Sequence, residues 1–520
     1  MNILLNTPDT RQSFKDFLFK NKRNRNILSL AAIAVVIQFA VFKYLYPYAN
    51  YIHGDSFSYL DAAIKNYDIN TYPIGYSKFL RLFSVFNRTD YTLAAFQYLF
   101  IQCSSLYLLF TLFYFYNTGR IIQYVLLGFM VFNPLFLHLG NLVSSDCLFA
   151  SLSLTWFALL LWLVHRPSNK LLVLHTIVLF ITFTVRFNAL IYPFITLLAF
   201  GLSRMPLRSK LIGLGSAAIL CGSFVGFNMY KYKQFTGYWQ YSPFSGWQFA
   251  NNAMYAYRYI DSGDRKPVPA QYYALDTTIR HFYDRTRDLT MNPSEKAMAS
   301  TFYMWSSGMP LMDYRDSLFK HTKDSSAEFK KWSSMGPLYK SYGIYIIRQY
   351  PLYFLEYFVW PNTRKYFAPP VEFLTLYNTG NSYVTKATKT WFGYKSVNIH
   401  SRMKNGKTWV LDPIPIISGI TNIVLLVGLL YYIILKGWRT NPTLNKAVIL
   451  GSSLWLFNAG FTIFASSAAL RFQSFPILMS FIFCGLLVDW MLQLIRKMKE
   501  EDKVKIDTTV PKDISIVNIP

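Results

Sequence analysis

Acidic residues are scarce in this chain. The 520 residues include 26 Asp and Glu against 52 Lys and Arg, and the first Glu is Glu295. The four cysteines lie in or beside apolar runs without a CxxC spacing, so neither a zinc site nor a disulfide scaffold is indicated. A Gly-rich phosphate loop, a P-loop Lys, HExxH and a Ser-His-Asp order are also absent, so no motif supports a mechanism that uses a cytosolic nucleotide sugar.

Long hydrophobic runs dominate the sequence instead. Hydrophobic residues make up 53% of the chain and charged residues 15%. The runs are long enough to cross a hydrocarbon core of about 30 Å as helices, which predicts an all-α polytopic membrane protein. The net charge of +26 does not indicate nucleic-acid binding, because the basic residues lie between the apolar runs, as in loops that face anionic headgroups.

Ten segments are predicted to span the membrane. Their approximate bounds are 27–47, 92–116, 121–139, 146–164, 170–185, 187–203, 211–229, 413–435, 446–466 and 472–495. If the N-terminus is cytoplasmic, the inside connections carry 21 Lys and Arg and the short outside connections carry six. The positive-inside rule therefore predicts that both termini are cytoplasmic.

This topology divides the chain into five parts. They are a retained cytoplasmic basic leader (1–26), a seven-span module (27–229) with an outer loop at 48–91, one long external region between spans 7 and 8 (230–412), three C-terminal spans (413–495) and a charged cytoplasmic tail expected to be disordered (496–520). Residues 346–367 are apolar but interrupted by Pro351, Glu356 and Pro361, which predicts an interfacial helix. If they spanned the membrane, the topology after them would invert.

Four charged residues border apolar spans on the predicted outer side. Asp55 lies in the first outer loop, Asp146 opens span four, Arg186 lies between spans five and six, and Arg471 lies between spans nine and ten. Charged groups in apolar surroundings cost several kcal/mol unless they are paired or hydrated, so they are candidates for function. The structural alternatives are helix N-caps for the two acids and interfacial anchors for the two arginines. Their coincidence on one side favours a shared site.

Transfer of a group from a lipid-linked phosphate suits this set of side chains. Guanidinium groups bind phosphate oxygens bidentately, and a carboxylate accepts the proton of an acceptor hydroxyl. A divalent cation shared by two carboxylates is a further way to stabilise the departing phosphate. Twelve aromatic residues between Tyr230 and Tyr259 indicate an interfacial belt and a small core, with Tyr241 or Trp247 as candidates for stacking on a sugar or acceptor.

Several short motifs accompany these residues in a fixed order. They are His53-Gly54-Asp55-Ser56-Phe57-Ser58-Tyr59, Tyr72-Pro73-Ile74-Gly75-Tyr76, Asn133-Pro134-Leu135-Phe136 leading to Ser145-Asp146, Arg186-Phe187-Asn188-Ala189 with Pro193, and Arg471-Phe472 with Pro476. In this order the chain resembles the GT-C superfamily of integral membrane glycosyltransferases, in the branch similar to protein mannosyltransferases and aminoarabinose transferases of lipid A. The resemblance covers the first seven spans well and the last two loosely.

The resemblance implies an inverting transfer, on the outer face of a bacterial inner membrane, of a sugar carried on a polyprenyl phosphate. Asp55 is then the catalytic base, and Asp146 assists it or helps to hold a metal ion. The substrate-binding residues expected with them are Arg186, Arg471, Lys78, His53, Tyr59 and Tyr76. Asp55 is followed by Ser56, whereas many relatives have a second acid there, which puts the divalent cation in doubt.

Other functions stay open at this stage. A polysaccharide polymerase or ligase also works on the outer face, but it transfers whole chains. A transporter or flippase of lipid-linked saccharides places its binding groups near the membrane midplane, between repeats, and no repeat is visible here. A non-catalytic scaffold does not require the four charged residues to converge. The acceptor of a transferase remains a lipid, a glycan or a protein.

Overall fold

A computed structural model describes residues 12–288, 290, 301–320, 328–466 and 468–509. Residues 1–11 of the predicted leader and 510–520 of the predicted tail lie outside the described residues. Within the described ranges the chain forms helices and no named β-strand, with three isolated β-bridges between loops.

The described α-helices follow one another with short connections through most of the chain. They are α1 (Phe14–Phe19), α2 (Lys22–Leu45), α3 (His53–Lys65), α4 (Gly75–Phe86), α5 (Asp90–Phe115), α6 (Arg120–Val131), α7 (Pro134–Gly140), α8 (Ser145–His165), α9 (Asn169–Val185), α10 (Tyr192–Leu202), α11 (Leu207–Thr236), α12 (Pro243–Tyr257), α13 (Tyr273–Arg285), α14 (Phe302–Trp305), α15 (Pro310–Leu318), α16 (Glu328–Ser334), α17 (Gly336–Gln349), α18 (Pro351–Phe354), α19 (Trp360–Phe367), α20 (Lys386–Phe392), α21 (Ile414–Ile434), α22 (Gly437–Thr440), α23 (Pro442–Ala465) and α24 (Ser474–Thr509).

Eight helical segments in the described part of the chain are long and apolar enough to cross a membrane. They are Lys22–Leu45, Asp90–Phe115, Arg120–Gly140, Ser145–His165, Leu207–Thr236, Trp409–Ile434, Pro442–Ala465 and Ser474–Glu501. Two shorter apolar segments, Asn169–Val185 and Phe187–Leu202, lie where spans five and six are predicted. These helices confirm the prediction of an all-α integral membrane protein.

The connections between these helices gather at two opposite ends of the bundle. At the end that we call the lower end, Gln493 Nε2 donates to the carbonyl oxygen of Asn117 at 2.6 Å, and Asp489 accepts from the backbone N–H of Gly119 at 3.0 Å. The upper end contains residues 46–53, 141–144, 186–191 and 466–473. There Lys43 Nζ donates to Asn141 Oδ1 at 3.0 Å. The four charged residues predicted to share a site all lie at the upper end.

Helix α8 is the centre of the bundle. Nearly all of its residues are buried, and it packs against α5, α9, α10 and α24. Its sequence is apolar on every side apart from small hydroxyl residues, which is the composition of a helix that has protein on all faces. The first turn of α8 reaches the upper end, so any charged side chain there is enclosed by its neighbours.

Residues 230–412 form a helical layer on the upper end. Helices α12 and α17 pack there in the most extensive contact between any two helices described. A Cβ atom on Gly246 would overlap the carbonyl group of Gly336, and one on Gly343 would overlap the backbone of Phe249. Trp247 lies in this core, where its indole N–H donates to the carbonyl oxygen of Trp332 at 2.8 Å and the two rings stack.

This contact gives a direct test of the packing. We expect Gly246→Ala to lower the free energy of unfolding by about 1–3 kcal/mol, because the added methyl group overpacks two backbones that cannot separate without moving a whole helix. Thermal unfolding of the purified protein in detergent measures the change. Gly263→Ala is the matched control, since a Cβ atom at Gly263 meets open space. Equal unfolding temperatures for the two variants would contradict the close packing.

The last part of this layer folds back onto the segment that precedes α3. The Tyr394 hydroxyl lies 2.7 Å from the Tyr51 hydroxyl, and Tyr377 donates to the carbonyl oxygen of Ala49 at 2.9 Å. The backbone N–H of Asn378 also donates to Asn50 Oδ1 at 2.6 Å. The last part of the 230–412 segment is therefore attached to the bundle beside α3 and helps to position that helix.

Two predicted boundaries differ from the structure. The helix predicted near 346–367 is interrupted at Tyr350, because Pro351 has no backbone N–H to continue α17, and a π-helical turn at Leu355–Val359 joins α18 to α19. The tail expected to be disordered from residue 496 instead continues α24 as far as Thr509.

Candidate functional site

Asp55 lies in the first turn of α3 and has a partner for each carboxylate oxygen. Oδ1 accepts from the Tyr72 hydroxyl at 2.6 Å, and Oδ2 lies 2.6 Å from Nη2 of Arg471. The start of the helix is stabilised by another residue, because Ser56 Oγ accepts from the backbone N–H of Ile52. Asp55 therefore does not cap the start of α3. Its carboxylate instead contacts the side chains of Tyr72 and Arg471.

Asp146 is the second residue of α8 and is buried. Its Oδ1 pairs with Nη1 of Arg186, and its Oδ2 lies 3.4 Å from Nη1 of Arg471. The Ser144 hydroxyl also donates to Oδ2, at 2.6 Å. Since Ser144 is the N-cap residue and no side chain caps the helix, the capping alternative for Asp146 is also wrong.

Arg471 joins the two acids. Its side chain is 4% exposed and lies between the Phe373 ring at 4.7 Å and the Phe472 ring at 4.2 Å. Burial lowers the pKa of this guanidinium, but the charges of Asp55 and Asp146 outweigh burial and raise the pKa above its usual range. The group is therefore a permanent cation that is fixed by stacking on two faces and by carboxylates at its edge.

Arg186 completes the set. It follows the last residue of α9 in an extended conformation, which directs its side chain across the start of α8 to Asp146. Its guanidinium lies 4.9 Å from the Phe472 ring and 5.7 Å from the Phe149 ring. Both arginines are held inside the bundle, so neither is a headgroup anchor. The structure brings together Asp55, Arg471, Asp146 and Arg186, in that order, as one network, in which Arg471 and Asp146 are buried and Asp55 and Arg186 are partly exposed.

Three tyrosines pack beside the network, one on α3, one on α4 and one on the loop between them. The Tyr59 hydroxyl lies 2.9 Å from Ser145 Oγ, and its ring packs on Tyr72 and Tyr76. Burial and the neighbouring Asp55 raise the pKa of Tyr72 well above its usual value, so the phenol stays protonated and donates to the carboxylate. Tyr76 is fully buried and donates to Gln97 Oε1 at 3.0 Å, which places it behind Tyr59 as a packing residue.

Gly75 explains why the Tyr72-Pro73-Ile74-Gly75 motif requires a glycine. A Cβ atom at this position would lie 2.5 Å from the backbone oxygen of Thr184, near the end of α9. The absence of a side chain lets the first turn of α4 approach α9 just before Arg186. The motif therefore sets the distance between the loop that carries Tyr72 and the loop that carries Arg186.

Like Tyr76, two further residues predicted to bind substrate lie outside the cavity described next. Lys78 donates to Asn66 Oδ1 at 2.9 Å and lies 3.9 Å from Asp68 on the surface. His53 packs against Phe57 and Tyr383, and burial lowers its pKa. Neither side chain lines the cavity described next. The position of Lys78 therefore gives no support to its predicted role in binding the substrate.

The network forms part of the wall of a cavity of about 500 Å³ at the upper end. Its walls come from α3, the Tyr72 loop, the Arg186 loop, α12, the end of α23 and the Arg471 loop. The lining includes Asp55, Tyr59, Tyr72, Ser144, Arg186, Asn188, Tyr241, Phe244, Ser245, Gln248, Asn252, Trp305, Phe373, Phe461, Arg471 and Phe472. Of the two aromatic residues proposed for stacking, Tyr241 lines the cavity and Trp247 does not.

The two aspartates do not fit a shared divalent cation. A guanidinium of Arg471 lies between them, so a metal ion there would face a fixed positive charge and would have to displace the arginine from both carboxylates. Among the described residues, no group of three or more His, Cys, Asp and Glu stands together as metal ligands. The set is instead suited to hold an anion and to accept a proton.

Sequence reasoning missed part of this site. Tyr72 and Tyr76 belong to the same motif, and the sequence alone does not show that Tyr72 rather than Tyr76 donates to Asp55. Phe373, Gln248 and Asn252 come from the 230–412 segment, where aromatic and amide residues are too frequent to single out any one of them.

No protein-family model matches this chain, and neither a curated protein nor a solved structure is significantly similar to it.

Proposed function

We propose that the protein is a glycosyltransferase that moves a sugar from a polyprenyl phosphate to an acceptor hydroxyl at the upper end of the bundle. The observation that carries the proposal is the network of two aspartates and two arginines, of which Asp55, Arg186 and Arg471 line a cavity of about 500 Å³ and Asp146 lies behind them. A carboxylate and a guanidinium side by side are what this transfer needs, since one accepts a proton and the other binds phosphate.

The reaction follows from the positions of these groups. The acceptor oxygen attacks the anomeric carbon of the sugar, and the bond between that carbon and the phosphate oxygen breaks. Its electron pair stays on the polyprenyl phosphate, where the guanidinium of Arg186 stabilises the added charge. The hydroxyl proton passes to Asp55, which Tyr72 and Arg471 hold in a fixed orientation. Attack from the side opposite the phosphate inverts the configuration.

An apolar groove supports a lipid-linked donor. It has a volume of about 380 Å³ and is lined by Ile191, Leu456, Phe457, Gly460 and Phe461, between the start of α10 and the second half of α23. Phe461 lines both this groove and the main cavity. The groove gives an isoprenoid chain an apolar path to the bilayer while its phosphate lies beside the arginines.

The proposal includes the membrane topology. Ten apolar helices cross a bacterial inner membrane, both termini are cytoplasmic, and residues 230–412 lie on the periplasmic side with the cavity. The network is then placed where a lipid-linked sugar is presented and where the acceptor is a lipid, a glycan or a protein. A cytoplasmic location of the Lys386–Phe392 helix, found by labelling of an introduced cysteine, would contradict this orientation.

Tyr72 offers a specific test of the mechanism. We expect Tyr72→Phe to lower the rate of transfer about tenfold, because a hydrogen bond to a charged group contributes about 1.5 kcal/mol or more. The rate is measured as released polyprenyl phosphate per folded protein. Tyr67→Phe is the matched control in the same loop, since Tyr67 is exposed. An unchanged rate in Tyr72→Phe would show that the phenol does not hold the base.

Reconstitution tests the proposed function itself. Purified protein in vesicles is incubated with a polyprenyl phosphate that carries a labelled sugar, together with a membrane extract as acceptor source. The expected result is free polyprenyl phosphate and a labelled acceptor that differs by one sugar. Labelled chains of many sugars would favour a polymerase or ligase. Intact donor that has crossed the bilayer would favour a flippase, and donor that stays intact and in place would favour a scaffold.

A further inference from the structure

The cavity has two chemically different sides. Its charged lining residues among those described are Asp55, Arg186 and Arg471, which all belong to the network. The facing wall is formed by α12 and is polar but uncharged. It contributes Ser242, Ser245, Gln248 and Asn252, whose spacing of three to four residues places them on one face of the helix.

The amides of this wall are held in place. Gln248 Nε2 donates to Asn252 Oδ1 at 2.7 Å, and Asn252 Nδ2 donates to the carbonyl oxygen of Phe464 at 3.3 Å. Gln248 and Asn252 are both buried. The close backbone packing of α12 on α17 fixes the helix that carries them. The wall is therefore an ordered set of donors and acceptors rather than a flexible surface.

Aromatic rings lie beside these amides. Phe244 and Trp305 line the same side of the cavity, with ring centroids 6.2 Å apart, and Trp305 stacks on Trp332 at 5.7 Å. Broad apolar faces next to a few fixed amide and hydroxyl groups form a typical site for a small neutral molecule that carries many hydroxyl groups.

We infer that the transferred sugar carries no formal charge. This inference rests on the proposed function. If the donor phosphate lies beside the arginines, the sugar extends towards α12, where the described residues of that wall offer no counter-charge to an ammonium or carboxylate substituent. Burial of an unpaired charge is costly. Asp55 already has Arg471 as its counter-ion, so it adds no uncompensated negative charge with which an amino sugar could pair.

Binding of four short-chain polyprenyl phosphates to the purified full-length protein tests the inference. The probes carry a neutral hexose, an amino hexose, a hexuronic acid or no sugar, and their dissociation constants are compared by calorimetry in detergent. We expect the neutral hexose to bind roughly tenfold or more tightly than either charged probe, since a buried charge without a partner costs at least that much. This comparison needs no variant protein.

A variant then reverses the preference. Gln248→Glu places a carboxylate in the α12 wall and is expected to bind the amino hexose probe more tightly than the neutral one. The matched control is Gln240→Leu, because Gln240 bonds to Thr236 and Ser333 outside the cavity. A charged sugar probe that binds the natural protein as tightly as the neutral one, while the sugar-free probe also binds, would overturn the inference and leave the proposed function intact. If none of the four probes binds, both are overturned.

Discussion

Replacement of Asp55 by Asn is expected to reduce sugar transfer by about 10²–10⁴-fold, because the amide cannot accept the proton of the acceptor hydroxyl. Asn has nearly the same shape, but its one carbonyl oxygen replaces only one of the two Asp55 oxygens that accept from Tyr72 and Arg471, so folding is checked together with the rate. The measurement is the rate of polyprenyl phosphate release in vesicles, with each rate divided by the amount of folded protein.

Asp61→Asn is the matched control for this experiment. Asp61 lies on the same helix, is about half exposed and pairs with Lys65 on the surface. Its replacement is expected to leave transfer unchanged. If Asp55→Asn transferred sugar at the normal rate, the base would have to be another residue, and the proposed mechanism would fail even if the protein proved to be a glycosyltransferase.

Arg471→Met is expected to have the largest effect on stability. The substitution leaves the partly exposed Asp55 without its cation and the buried Asp146 with Arg186 alone, and removal of one partner from a buried ion pair costs about 3–5 kcal/mol. Met keeps much of the side-chain volume between Phe373 and Phe472. The fall in stability therefore measures the removal of the charge more than a loss of packing. Thermal unfolding in detergent should show a clear fall in the midpoint.

Removal of the Asp55 carboxylate should reverse this loss. In the double variant Arg471→Met, Asp55→Asn, neither member of the Arg471–Asp55 pair is charged and Asp146 keeps Arg186 as its partner, so the unfolding midpoint is expected to return towards that of the natural protein. Arg88→Met serves as the control, since Arg88 is an exposed residue in a loop. An Arg471→Met variant as stable as the control would mean that water or another cation compensates the two acids.

The residues of the candidate site could be predicted from the sequence because they are charged and lie beside apolar segments. Asp146 and Arg186 are isolated charges beside long apolar helices, and a membrane topology with alternating helices places all such charges of one side together. The topology alone does not give the pairing. Arg471 contacts both acids and Arg186 contacts one, and that difference depends on the exact depth and rotation of α8 and on the loop before α24.

Residues 230–412 could not be predicted in the same way. Their helices are short and amphipathic, and their positions depend on a few close backbone contacts such as Gly246 with Gly336. Glycine in a sequence does not indicate which partner it approaches. For the same reason, nothing in the local pattern distinguished Trp247, which lies in a core, from Tyr241, which lines the cavity. Lys78 follows the Tyr72 motif closely in sequence but lies on the surface, outside the cavity lining, because proximity in sequence does not imply proximity in space.

The connection of Arg471 to both acids also has a consequence for the synthesis of the protein. Asp55 and Asp146 are made before Arg471, which follows both of them by more than 300 residues along the chain. Until Arg471 has been made, Asp55 lacks its counter-ion. The segment that carries Arg471 must therefore dock on the helices that carry the two acids before the network is complete.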